Sequence, residues 1–356
     1  MRGRHRRRGG AARSLGALLA MAVVLGLAGV FAKAAIIPSA QPSPAATRST
    51  PTIPVPTTPS PSPTLAETFS RSKLVLRGTG DVNLDSDFIP NFRTYGYEYA
   101  WSGLDGFFKR DDLTVVNLEC PVSRLGSQVL TKDYHFRADP NALPAMRAAG
   151  VDVANMANNH AYDYGPDALL DTRKNLAANN IAAVGAGQDN RQALAPALFT
   201  IKGWRIAVVG FDEVIDGADS VAGRGHPGVA AGHDQEAMVG GVKAAAGVAD
   251  IVIVVIHWGV ELKTAPTVTD VSLAHRLVQA GADVIFGSHS HRLQPMETYQ
   301  GRPIFYSLGN FVWPNTTLAG STTAVAQVTV SGSGTFTGRL VPAFIQAAGH
   351  PVISGS

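Results

Sequence analysis

The chain holds a single cysteine, Cys120, in 356 residues. An intramolecular disulfide is therefore excluded, and so is a structural zinc site built on thiolates. Cys120 follows an apolar strand-like run far from the N-terminus, so it reads as a small buried hydrophobe and not as a lipid attachment point. A basic domain is also lacking. The formal net charge is +3, but residues beyond 68 carry 22 Lys/Arg against 26 Asp/Glu. A mildly acidic globular part gives no electrostatic basis for binding nucleic acid, so no nucleic-acid partner is expected. No internal repeat is present.

What is there begins with six arginines before Ser14, followed by Leu15–Phe31, a run of 17 residues without a charge. A positive flank ahead of an apolar run is a signal peptide or signal anchor, with the arginines left in the cytoplasm. The run is short for a span yet longer than most cleavable cores. Residues 1–35 are read as an uncleaved single-pass anchor, with secretion the outcome if cleavage occurs near Ala34. Residues 36–68 are rich in Pro, Ser and Thr; they cannot bury a core and form an extended spacer. Anchor, spacer and a domain over 69–356 are the layout of a protein held off the outer face of the cell membrane.

Within that domain, short β-branched runs alternate with helical stretches. Strands are expected at 74–77, 114–118, 151–156, 181–184, 205–211, 250–256 and 283–286, and helices at 141–149, 166–179, 234–246 and 268–280. The run Ile251-Val252-Ile253-Val254-Val255-Ile256 is continuous and apolar, as for a strand covered on both faces. Gly150 and Gly281 stand where helices stop. The alternation predicts a layered α/β domain, and 304–345 reads as an antiparallel β portion packed onto it.

The polar residues fall at strand ends. Asp81 follows LVLRGTG and Glu119 follows LTVVNL. Asn158, Asn159 and His160 follow VDVANMA. His257 follows IVIVVI, and His289 and His291 follow VIF. In open α/β sheets, ligands bind outside the carboxyl ends of the strands. Two carboxylates with several imidazoles suit Mn, Fe or Zn better than Ca or Mg alone. The number of donors suits two ions bridged by a carboxylate, a pair that generates hydroxide at neutral pH.

The stretches GTGDVNL, NLECPVS, ANNHAYDYG, HWGVEL and GSHSHRLQPMETYQGRPIFYSLGNF resemble, in order, the motifs of the CapA capsule-synthesis family of poly-γ-glutamate producers. That family is similar in turn to calcineurin-like metallophosphoesterases. The resemblance covers about Leu74 to Phe311 and implies a metallophosphoesterase-like sandwich. It implies metal ligation by Asp81, Glu119 (bridging), Asn159, His257, His289 and His291. It implies a chemical step carried by Asp81 and His160, the latter assisting the leaving group or steadying the transition state. Asn83 stands where phosphoesterases have a histidine, which weakens one metal position. Ser288 and Ser290 replace residues common in the family, and Arg292 follows them.

Trp258, Glu261 and Arg292 are read as substrate contacts, Arg292 suiting an anion. Glu261 reads equally as a partner of His257 or a solvated carboxylate. Asp163 is expected to orient its own loop, and Asn310 to serve the Gly309-Asn310 turn. His135, His226, His233 and His275 have no partner spacing and are read as non-catalytic. The expected function is a role in making or exporting capsule, poly-γ-glutamate or a related envelope polymer, through a metal-dependent hydrolase-type site. Its partners are an anionic polymer or precursor, the membrane, and membrane-bound synthesis or export subunits. Two alternatives stay open: a non-catalytic accessory or polymer-binding subunit, and a secreted phosphodiesterase or nucleotidase.

Overall fold

The computed structural model describes residues 71–232 and 234–354. The expected anchor and spacer, and His233, lie outside the described residues. Among the described residues no helix is long and apolar enough to cross a membrane.

The chain forms β1 (Leu74–Val82), β2 (Leu113–Leu118), β3 (Val153–Asn155), β4 (Ala182–Val184), β5 (Ala186–Gly187), β6 (Ala197–Ile201), β7 (Trp204–Asp212) and β8 (Gly228–Val229). There follow β9 (Ile251–His257), β10 (Val284–Ser288), β11 (Met296–Tyr299), β12 (Arg302–Phe305), β13 (Asn310–Val312), β14 (Thr322–Val330), β15 (Phe336–Ala347) and β16 (His350–Ile353). The first sheet runs β16-β15-β14-β1-β2-β3-β4, with β13 beside β1. The second runs β11-β12-β10-β9-β7-β6. Strands β1 to β4 are mutually parallel, and so are β7, β9, β10 and β12.

The expected C-terminal antiparallel portion is present as β14–β16, and it continues the first sheet. Strand β14 pairs antiparallel with β1, β15 with β14 and β16 with β15, while β12 and β13 pair parallel to β10 and β1. Ser331-Gly332-Ser333-Gly334 makes the β14–β15 turn, with Gly334 at φ +84°. Helix Leu143–Ala149 stops at Gly150, whose φ of +107° is open to glycine at little cost. Helix Val268–Gln279 starts in a capping box between Thr267 and Asp270.

Three apolar clusters define four layers. One fills the space between the sheets, with Leu76, Val115, Val153, Ile206, Ile253 and Phe286 among its members. A second lies under the helices on the outer face of the first sheet. A third lies between the second sheet and helices Gln235–Ala246 and Val268–Gln279. Side chains alternate along a strand, so each strand sends every second residue into the space between the sheets. Reading those inward positions toward the carboxyl end gives apolar residues and then polar ones. The series are Leu113, Val115, Asn117; Ile206, Val208, Gly210, Asp212; Ile251, Ile253, Val255, His257; and Val284, Phe286, Ser288. The inter-sheet core thus ends in a polar floor along one edge.

Strand β1 reaches the same floor by a different device. Its register shifts between Gly78 and Asp81. Leu74 and Leu76 face the inter-sheet core, but Val82 packs on the outer face. The irregularity reverses the alternation and turns Asp81 inward, a common use of a bulge beside a site. Just before it, Gly78 meets β10 so closely that a Cβ there would lie 2.6 Å from the Phe286 ring. Gly78→Ala is expected to cost about 1–3 kcal/mol by overpacking and to lower the melting temperature by several degrees. An unchanged melting curve would show that the sheets are not pinned together at this point.

Candidate metal centre

The polar floor gathers the strand-end residues. Asp81, Glu119 and His257 are fully buried, and His289 is nearly so. Asp81, Glu119 and His291 each offer a ligand atom, all within 4.8 Å of one another. Glu119 Oε1 lies 3.9 Å from His291 Nε2 on one side and 3.8 Å from His257 Nε2 on another. His257 Nε2 in turn meets Asn159 Oδ1 at 3.0 Å. The His257 and His289 rings are 4.7 Å apart, centroid to centroid. One carboxylate therefore stands between an Asp81–His291 group and a His257–Asn159 group.

The hydrogen-bond inventory is incomplete in a telling way. Neither Glu119 oxygen has a hydrogen-bond partner, nor has Asp81 Oδ2 or His289 Nδ1. Asp81 Oδ2 is 3.0 Å from His291 Nδ1, but that nitrogen also meets Asn310 Oδ1 at 2.8 Å, and its single proton is directed there. Buried polar atoms are nearly always paired, and an unpaired buried carboxylate is costly. The orphaned oxygens of Asp81 and Glu119, grouped with His291 and with the orphaned His289 nitrogen nearby, are O and N donors that fit a divalent cation of the Mn, Fe or Zn class.

The backbone bears a matching load. His289 and His291 have φ of +94° and +51°, a region where non-glycine residues are strained. The Ser290 hydroxyl donates to Ser307 Oγ at 2.9 Å, and the Ser290 carbonyl accepts from Leu262 N at 2.7 Å. These bonds fix the two imidazoles in place.

Titration follows from the same burial. Burial first, and then the Asp81 charge, push the Glu119 carboxyl well above the usual carboxylate range. Burial, and then His289 and His291, hold His257 well below the usual imidazole range. Burial lowers His289 as well. For His291, burial acts downward, but the Asp81 carboxylate and Asn310 outweigh it and leave it raised.

Beside this group, His160 Nδ1 bonds Asp163 Oδ2 at 2.8 Å, which leaves Nε2 as the free ring nitrogen. Asp163 also accepts from Phe136 N at 2.8 Å and pairs with Lys132. It therefore holds both His160 and the loop 129–136, as expected for a loop-orienting residue. Lys132 is a residue that the sequence reading passed over. Its ammonium bonds the Asn159 carbonyl and pairs with Asp216 Oδ2 at 2.9 Å. Lys132, Tyr134, Asn159, His160, Asp216 and Glu261 line a cleft of about 290 Å³.

Not every expected residue is in this place. Trp258 is 2% exposed, donates to the Tyr306 carbonyl at 2.8 Å and belongs to the helix-covered core of the second sheet. Its reading as a substrate contact is corrected: the strand alternation points it away from the centre. Glu261 is exposed and lines the cleft. Arg292 donates to the His291 carbonyl at 2.7 Å and is not among the cleft residues. Asn310 is more than a turn residue, since it receives the His291 proton. Asn83 is buried; its Oδ1 accepts from Asp85 N at 2.9 Å and its Nδ2 has no partner, so it presents no ligand atom. Asn117 and Asn155 went unremarked in the sequence. The signal that finds them is their place as the last inward residue of an alternating strand.

With this geometry established, comparison with known proteins places the chain. Residues 75–315 match the family described as bacterial capsule synthesis protein PGA_cap. The chain belongs to this family. It is 32% identical over 281 residues to the capsule biosynthesis protein CapA of Bacillus anthracis, covering 77% of this chain and 68% of that one. It is 31% identical over 284 residues to the PGA biosynthesis protein CapA of Bacillus subtilis, covering 79% and 74%. A probable polyglutamine synthesis accessory protein of Mycobacterium tuberculosis is 35% identical over 212 residues, and the match spans 55% of its length. Among solved structures, the NAD nucleotidase of Haemophilus influenzae aligns with a TM-score of 0.47 at 15% identity. That alignment covers 77% of this chain and spans half the length of the nucleotidase.

A pH dependence follows for this PGA_cap chain. Burial and their neighbours push Glu119 and His291 toward their protonated forms, so a cation held there would displace protons from them. Affinity for Mn²⁺ is expected to rise with pH from about 5 upward, above the ordinary carboxylate range. Calorimetric titration in buffers of different ionisation enthalpy should register net proton release. An affinity flat across that window would contradict the assignment of Glu119.

Proposed function

We propose that this chain acts in the synthesis or export of capsule, poly-γ-glutamate or a related anionic envelope polymer, as a membrane-held extracytoplasmic protein with a metal-dependent hydrolase-type site. The observation that carries the reading is Glu119, a fully buried carboxylate with neither oxygen hydrogen-bonded, set among Asp81, His257 and His291, with the His289 ring beside that of His257. Membership of the capsule-synthesis family supports the polymer. The arginine-flanked apolar run supports the anchor.

Asp81, Glu119 and His291 would hold one ion, and Glu119, Asn159, His257 and His289 a second. Bound there, such ions supply water activation at neutral pH and charge neutralisation at a phosphoryl or acyl centre. The chain's own groups do the rest. Asp163 fixes the His160 ring, so its free Nε2 holds or delivers a proton at the cleft wall. Glu261, exposed on the cleft wall, would meet a substrate there, and Lys132 keeps the Asn159 backbone in place.

Elemental mass spectrometry of the purified, untagged full-length protein is expected to find about two equivalents of Mn, Fe or Zn, falling in His289→Ala. Hydrolysis should be lost in Asp81→Ala. Unchanged turnover in an Asp81→Ala, His289→Ala double variant would sink the hydrolase reading.

A second reading keeps the fold and the polymer but drops the chemistry, making the chain an accessory or polymer-binding subunit. Asn83 favours it, because its oxygen is turned to Asp85 N and one metal position is short of a ligand. The name of the Mycobacterium tuberculosis relative, an accessory protein, points the same way. Capture of membrane-bound synthesis subunits by a variant that binds no metal would favour this reading.

A further inference from the structure

A row of polar side chains crosses the first sheet in register, one from each parallel strand. Asn310 of β13 pairs with Asp81 of β1, Asp81 with Asn117 of β2, and Asn117 with Asn155 of β3. Asn117 is the node of this row. It is fully buried, and every hydrogen-bonding position of its carboxamide is used. Its Nδ2 donates to Asp81 Oδ1 at 2.9 Å and meets His257 Nδ1 at 3.2 Å. Its Oδ1 accepts from Asn155 Nδ2 at 2.9 Å and Asn158 Nδ2 at 3.3 Å.

The direction of these bonds is set by the backbone. Asn155 Oδ1 takes the Ala157 N–H, so its Nδ2 must face Asn117. Asn158 Oδ1 takes the His160 N–H, and its Nδ2 bonds the Leu118 carbonyl as well as Asn117. Asn117 can therefore present only its oxygen to β3 and only its NH₂ to the centre. The space for Asn155 is made by Gly210 and Gly185, where a Cβ would come within 2.1 and 2.7 Å of Asn155 Oδ1.

We propose that Asn117 is the positioning residue of the centre, tying one oxygen of Asp81 so that the other is offered to a cation, and locking Asp81 to the Asn158–His160 turn that carries Asn159. This rests on the reading that the centre holds a divalent cation. His257 also borders Asn117, and its tautomer decides what Asn117 does there. In the tautomer protonated on Nε2, Asn117 Nδ2 at 3.2 Å and Ser288 Oγ at 3.0 Å both face His257 Nδ1 as donors; in the tautomer that leaves Nε2 free to hold a cation, Nδ1–H would donate to Ser288 Oγ and Asn117 would keep only its bond to Asp81.

The test is calorimetric titration of Mn²⁺ into the full-length wild type, Asn117→Asp and Asn155→Ala, with melting curves of the metal-free proteins beside it. Asn117→Asp keeps the shape and adds a negative charge next to Asp81, so attraction alone predicts tighter binding. Positioning predicts the reverse, a loss of about 10- to 100-fold, because the donor to Asp81 Oδ1 is gone. Asn155→Ala touches none of the proposed ligands and should weaken binding by a smaller factor. It carries the test if Asn117→Asp does not fold. A purely structural role would lower the melting temperature and leave the dissociation constant of the folded protein unchanged, which overturns the proposal. So does Mn²⁺ binding to Asn117→Asp as tightly as to wild type. A wild type that takes up no Mn²⁺ removes the reading of the centre itself, and this inference with it.

Discussion

Glu119 sits at the closed end of the space between two sheets with no proton donor for either oxygen. A carboxylate there is held out of water beside the charge of Asp81, and is driven toward its protonated form. His257 and His291 approach it, with His289 and the Asn159 carboxamide oxygen beside His257, and burial keeps His257 and His289 neutral, the form in which a histidine can act as a ligand. A chain selected for stability alone would carry an apolar side chain at this position, since buried ionisable groups without partners are among the costliest features of a fold. That cost, together with two histidines held at positive φ, marks the edge of the sheets as the place where this molecule gives up stability for function.

The fold supplies the geometry by a simple rule. Inward positions of the parallel strands are apolar along most of their length and polar at the carboxyl end, so one alternation builds both the core and the floor of the site. Strand β1 departs from the rule, and its irregularity between Gly78 and Asp81 is what delivers Asp81 to the floor. The centre therefore depends on strand register more than on loop conformation. A shift of one residue in any of these strands would turn its polar end residue toward the outer helices.

Much of this was legible in the residues. The run at 251–256 announced a strand covered on both faces, and β9 is buried throughout. The strand-end placement of Asp81, Glu119, Asn159, His257, His289 and His291 was visible as a pattern, and the fold brings these residues together. Trp258 was misplaced because it was judged by its neighbours in the chain. Counting alternate residues from Ile256 puts it on the helix side. Asn117 and Asn155 were overlooked because asparagine within a strand has no chemical signature of its own. Only the register reveals that they are stacked on Asp81. Lys132 lay in a stretch with no periodicity, where nothing but tertiary contact could show that its ammonium reaches Asn159.

The central claim is that Glu119 is buried unpaired because a cation belongs beside it. Anomalous diffraction from crystals of the protein grown with Zn²⁺, recorded on both sides of the zinc absorption edge, tests it most directly. The account predicts an anomalous peak bonded to Glu119 and shared with Asp81 and His291 or with His257 and Asn159. A saturated crystal with no peak at Glu119, and with its oxygens still unpaired, would contradict the account.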